Sequence, residues 1–133
     1  ENNMKIGFTA STFDLLHTGH ILMLKEAKEQ CDYLICGLHI DPSIERSEKN
    51  SPIQSVYERF IQLQAVKYVD EIIPYTTEDE LLTILQTNNI DVRIIGADYA
   101  GKRFTGDFLD MEIYYNSRNH NYSSTELRNR IKK

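Results

Sequence analysis

The sequence predicts an α/β domain of three layers, built on a mostly parallel sheet of five strands. Two observations lead there. Short apolar runs bounded by polar residues alternate with longer stretches whose apolar residues recur at helical spacing. The first strand–helix–strand unit also implies a parallel pair joined by a right-handed crossover.

In chain order, Lys5-Ile-Gly-Phe-Thr-Ala10 is a buried first strand. From His20 to Cys31, Ile21, Leu24, Ala27 and Cys31 follow helical spacing with charges between them. Tyr33-Leu-Ile-Cys-Gly-Leu-His39 is a second buried strand. Residues 40–54 hold Asp41-Pro42, mixed charges and Lys49-Asn-Ser-Pro-Ile53, and read as a loop at the carboxyl end of that strand, where ligands of open parallel sheets bind. Ser55 and Glu58 form a capping box ahead of a helix whose apolar face is Val56, Phe60 and Leu63. A third strand lies within Val69–Pro74, ending at the proline. Thr77 and Glu80 cap a helix through Leu81, Leu82 and Leu85. Asp91–Gly96 and Met111–Tyr115 are the fourth and fifth strands, and Ser123 with Glu126 opens a last helix that turns Leu127 and Ile131 to the core.

Composition bounds what such a domain does. At 133 residues there is room for one domain with one core, spanning residues 4–133, with Met4 read as the natural start and residues 1–3 as an added extension. The hydrophobic fraction of 41% and charged fraction of 26% are those of a soluble globular protein, with neither a signal peptide nor a membrane-spanning run. A net charge of −5 argues against a nucleic-acid binder, which would carry a basic stripe. The two cysteines, Cys31 and Cys36, make no disulfide framework and fit reduced thiols in a cytoplasmic protein. No residues form a metal-ligand pattern, and the dinucleotide fingerprint G-x-G-x-x-G is absent.

Chemistry concentrates in Ser11-Thr-Phe-Asp-Leu-Leu-His-Thr-Gly-His20, between the first strand and the first helix. A spacing of three places His17 and His20 on one side of a helix's first turn. The amides of a helix start carry partial positive charge and suit phosphate. Two imidazoles beside them suggest phosphate chemistry.

This stretch resembles the signature of the H-x-G-H nucleotidyltransferases, and is most similar to the small bacterial glycerol-3-phosphate cytidylyltransferases. The resemblance implies a Rossmann-like fold, transfer of CMP from CTP to a phosphorylated alcohol, Mg²⁺ accompanying the triphosphate, and a homodimer. By the same resemblance, His17 and His20 contact the triphosphate and stabilise the transferring phosphate, donating hydrogen bonds as imidazolium. Thr12 and Phe13 match positions that cradle phosphate through the backbone. Asp14 matches the family's aspartate, with an orienting role; an ordinary helix-start cap is the alternative. Ser11 stands where the family usually has glycine. Lys49 is matched to the family's loop lysines, with Arg46 in reserve; a solvated surface charge stays open for both. Arg59 matches the family's arginine. Asp98 and Tyr99, in Ile94-Ile-Gly-Ala-Asp-Tyr99, resemble the stretch near the nucleotide base, where an aspartate accepts from an exocyclic amine and a tyrosine stacks. Arg118-Asn-His-Asn-Tyr-Ser-Ser-Thr125 resembles the motif at the last helix, where Ser123, Ser124 and Thr125 hold phosphate beside the arginine fork.

Both substrates are anionic, so the reaction asks for charge neutralisation and positioning more than for a strong base. Three rival readings remain at this level. One is adenylyl or cytidylyl transfer to another acceptor, such as a flavin, an amino alcohol phosphate or a sugar alcohol phosphate. Another is a nucleotide-binding module without turnover. The third, a fragment of a class I aminoacyl-tRNA synthetase, lacks its Lys-Met-Ser-Lys-Ser motif here.

Overall fold

A computed structural model describes residues 4–117 and 129–131 of the chain. Five strands form one sheet: β1 (Ile6–Ser11), β2 (Tyr33–His39), β3 (Glu71–Tyr75), β4 (Val92–Gly96) and β5 (Glu112–Asn116). Three helices connect them: α1 (Thr18–Lys28), α2 (Val56–Gln64) and α3 (Glu78–Thr87). Residues 129–131 are helical, in the stretch where the last helix is predicted, but Ile131 is exposed rather than turned to the core. The strand order is β3-β2-β1-β4-β5, and every pair is parallel, so the expected mostly parallel sheet is wholly parallel among the described residues.

Alternation along the strands builds two cores. Leu34, Cys36 and Leu38 of β2 and Val92 and Ile94 of β4 face one side, against Leu24 and Ala27 of α1 and Leu63 of α2. Phe8 of β1 and Ile35 of β2 face the other, against Leu81, Ile84 and Leu85 of α3. Gly37 has no side chain because one would strike Phe8: a Cβ there would lie 2.7 Å from its ring. Acidic residues ahead of the strands tie their starts together. Asp32 accepts from the Lys5 amide and Asp91 from the Ile6 amide, each at 2.8 Å.

Among the boundaries that differ from the sequence reading, two have a clear physical reason. β3 runs through Pro74 to Tyr75, because β3 is an edge strand and a proline's missing N–H costs no ladder bond there. α1 begins at Thr18 rather than near His20, because His17 itself is the cap. Cys36 is buried and Cys31 half-buried, both as thiols.

The chain steps outward from β1 through β2 to β3, then returns across β1 to β4. The helices therefore leave on opposite faces, and a crevice opens between the carboxyl ends of β1 and β4, the usual ligand site of such sheets.

Candidate active site

That crevice is a cleft of about 650 Å³. Its rim is formed by Ala10, Ser11 and Thr12 at the end of β1, by Ile95 and Gly96 at the end of β4, and by the first turn of α1.

The first turn of α1 is closed by its two histidines. His17 is the N-cap, and its Nδ1 accepts from the Gly19 amide at 3.0 Å. His20 Nδ1 accepts from the His17 amide at 3.2 Å. This is a capping box with imidazoles in place of the usual hydroxyl and carboxylate. The rings lie 4.1 Å apart at 38°. Burial, with the nearby His17 adding to it and Asp14 opposing it, holds the His20 pKa down to about 4. His20 is therefore neutral near pH 7, not the imidazolium the sequence suggested. With Nδ1 an acceptor, its proton belongs on Nε2, making it a fixed neutral donor. Both imidazoles line the cleft.

The loop ahead of them is strained and clamped. Phe13 and Leu15 sit in the left-handed region, at φ 51° and 53°. Asp14, between them, accepts from the Ile53 amide at 2.8 Å and the Gln54 amide at 2.9 Å. The Gln54 side chain in turn accepts from the Leu15 amide at 2.8 Å. Asp14 thus holds this loop against the segment entering α2 and is not the cap of α1.

Arg59 completes the clamp. It is only 2% exposed. Its Nε donates to the carbonyls of Gln54 and Ser55, its Nη1 to Thr12 at 3.1 Å and His39 at 2.8 Å, and its Nη2 to Ile40 at 2.7 Å. One guanidinium therefore joins the motif loop, the end of β2 and the start of α2.

A cytidylyltransferase-like family model matches residues 8–130 of the chain. The chain belongs to this family. It is 35% identical over 130 residues to glycerol-3-phosphate cytidylyltransferase of Bacillus subtilis, covering 96% of this chain and 98% of the relative. It is also 35% identical over 126 residues to the bifunctional protein HldE of Campylobacter fetus, of which it spans only 27%. Among solved structures it resembles the lipopolysaccharide core biosynthesis protein of Thermoplasma volcanium, with a TM-score of 0.72 at 25% identity, over 89% of this chain and 100% of that one. The fold is the Rossmann-like nucleotidyltransferase fold, and the protein is a nucleotidyltransferase.

Within this cytidylyltransferase-like domain, the cleft brings together His17, His20, Thr12, Lys49, Asp98 and Tyr99. Arg46 lines it as well. Asp98 and Tyr99 follow β4 in a short turn over Ala97–Tyr99, and Gly96 admits the Asp98 carboxylate where a Cβ would lie 2.7 Å from its Oδ1.

Three residues expected at the nucleotide, Phe13, Asp14 and Arg59, do not line the cleft. The Phe13 side chain is in the core at 0% exposure, and its amide donates to Ser11 Oγ at 3.3 Å. Asp14 and Arg59 serve the backbone as described and do not line the cleft. Ser11 replaces the usual glycine without strain, since it ends β1 and the left-handed positions come later. Arg118, Ser123, Ser124 and Thr125 lie outside the described residues.

The cleft also contains residues the sequence reading did not select. Arg93, His39, Tyr75, Glu78 and Thr105 line it on the α3 side, and Asn116 on the α1 side. His39 stacks on Tyr75 at 4.6 Å, and its Nε2 lies 3.1 Å from the Thr76 carbonyl. Arg93 carried a legible signal: a charge in the middle of an apolar strand, Val-Arg-Ile-Ile.

Proposed function

We propose that this chain transfers CMP from CTP to a phosphorylated alcohol, with glycerol 3-phosphate the first candidate, giving a CDP-alcohol and pyrophosphate. The observation that carries the reading is the double imidazole cap of α1 in a cleft at the switch point of the sheet. The named relative of near-equal length supplies the nucleotide and the acceptor.

In this mechanism a phosphate oxygen of the acceptor attacks the α-phosphorus of CTP in line. The bond to the bridging oxygen breaks, and pyrophosphate leaves. His20 donates from Nε2 to the oxygens that gain charge, and its neutral state needs no proton uptake beforehand. His17 acts beside it. Lys49, with Arg46 near it on the rim, offsets the charge brought together by two anionic substrates. Asp98 and Tyr99 take the base, by accepting from its exocyclic amine and by stacking. Arg118, Ser123, Ser124 and Thr125 hold the triphosphate, a role that rests on their sequence motif.

Among the described residues no three His, Cys, Asp or Glu side chains converge as a metal cage. Magnesium enters this proposal with the triphosphate, held by phosphate oxygens and water. No described helix is long and apolar enough to cross a membrane. We place the enzyme in the cytoplasm as a homodimer; sedimentation giving only monomer at working concentration would count against the dimer.

The test is pyrophosphate release with magnesium, crossing CTP and ATP against phosphorylated alcohols. Release with CTP and glycerol 3-phosphate is the expected result. Release with ATP, or with another acceptor alone, would move the substrate and keep the chemistry. A nucleotide that binds without turnover on any acceptor would refute the proposal.

A further inference from the structure

The α3 side of the cleft contains an arrangement that packing does not explain. Arg93 is 6% exposed on β4, paired in register with Phe8 and so facing α3. A buried guanidinium is normally matched by a carboxylate. Arg93 instead donates from Nη1 to the Thr105 carbonyl and lies 5.1 Å from the Phe104 ring, and none of the ion pairs among the described residues involves it. Its Nε and Nη2 make no hydrogen bond to the described protein, while the residue lines the cleft. Thr105 also donates from Oγ1 to Glu78 Oε1 at 2.5 Å. One residue therefore spaces a cation and a carboxylate along the same wall without letting them pair. Tyr75 lines the same side of the cleft, stacked on His39.

We infer that Arg93 and Glu78 form the part of the acceptor site that reads the organic portion of the acceptor, and that they select a neutral, hydroxylated chain. This rests on the transferase reading above and deepens it. The argument is one of sign. An ammonium group drawn to Glu78 would also meet the buried guanidinium, and a carboxylate drawn to Arg93 would also meet Glu78, so either charge gains one partner and is opposed by the other. A hydroxyl both accepts and donates, so it takes an N–H from Arg93 and gives its proton to Glu78. A site built to bond hydroxyls rejects analogues that leave its buried polar groups unpaired.

Three acceptors of nearly equal size isolate this choice: glycerol 3-phosphate, 3-phosphoglycerate and phosphoethanolamine. Their binding is measured by calorimetry on the whole chain saturated with CTP in the absence of magnesium, and turnover is measured separately with magnesium. The wild type is expected to bind glycerol 3-phosphate at least about tenfold more tightly than the other two. Glu78→Gln keeps the acceptor oxygen for Thr105 but removes the charge. It should narrow the preference over 3-phosphoglycerate by about tenfold and leave CTP binding unchanged. Arg93→Lys keeps the charge and loses the fork, and should weaken glycerol 3-phosphate binding without reversing the preference. Thermal melting shows that each variant is folded. Equal binding of the three acceptors, no binding of any, or an unchanged preference in folded Glu78→Gln overturns the inference. If discrimination is present and turnover absent, the transferase reading falls while the subsite stands. Turnover without discrimination does the reverse.

Discussion

Arg59→Met separates two roles for a residue that the sequence assigned to the nucleotide and the structure places among carbonyls. Methionine keeps most of the apolar stem and removes the guanidinium. Five carbonyls lose their donor: Gln54, Ser55, Thr12, His39 and Ile40. Hydrogen bonds to a charged group contribute about 1.5–3 kcal/mol each, against which the relief of an expensively buried cation must be set. The net loss expected on breaking such a buried network is about 3–5 kcal/mol. For a chain of 133 residues, an unfolding entropy of about 2.1 cal/mol/K per residue converts this to a fall in Tm of about 10–18 °C. Calorimetry or circular-dichroism melts measure it, and Arg59→Lys should recover little, since lysine lacks the planar fork. A fall below about 3 °C, accompanied by lost CTP affinity, would refute the reasoning and return Arg59 to the ligand.

Other outcomes follow from the same geometry. His20→Asn offers an oxygen where Nδ1 caps the helix but no Nε2 donor, so turnover should drop about 10²–10³-fold with the fold intact; near-wild-type turnover removes His20 from the mechanism. Because the folded pKa of His20 is near 4, below the unfolded value near 6.5, the unfolded chain takes up a proton first as pH falls. Stability should therefore decline between about pH 6.5 and pH 4 by about 3 kcal/mol from this group, and denaturant titrations on His20→Asn should lack that component. Asp14→Ala deprives the Ile53 and Gln54 amides of a charged acceptor and should lower stability by about 1.5–3 kcal/mol; an unchanged Tm would mean the clamp at the strained loop is dispensable. Lys49→Ala should raise the KM of a phosphate substrate about tenfold or more, and kinetics unchanged in this variant would leave Lys49 a solvated surface charge.

The repeated strands and helices, the capping boxes at Ser55 and Thr77 and the pair His17–His20 were legible in the sequence because each is a local signal. Apolar spacing within one element, or a polar residue three positions from its partner, needs no knowledge of what lies across the fold. The family resemblance at residues 11–20 was legible for the same reason. What only the tertiary structure decided depends on groups far apart in the chain. Arg59 reads as a ligand contact because it matches the family's arginine, but the acceptors that consume its charge lie up to 47 positions away. Asp14 reads as an orienting residue or a cap, and which backbone it holds is decided only when the amides of residues 53 and 54 are brought to it. The neutral state of His20 comes chiefly from burial, which no local pattern states. Arg93 and Glu78 share one wall of the cleft only because the sheet runs β1 to β4 past the switch point while α3 packs on that face, with Thr105 bonded to both. Local spacing determines which elements form and where phosphate chemistry can begin; the long-range packing of those elements determines which charges face the substrate and which are spent on the backbone.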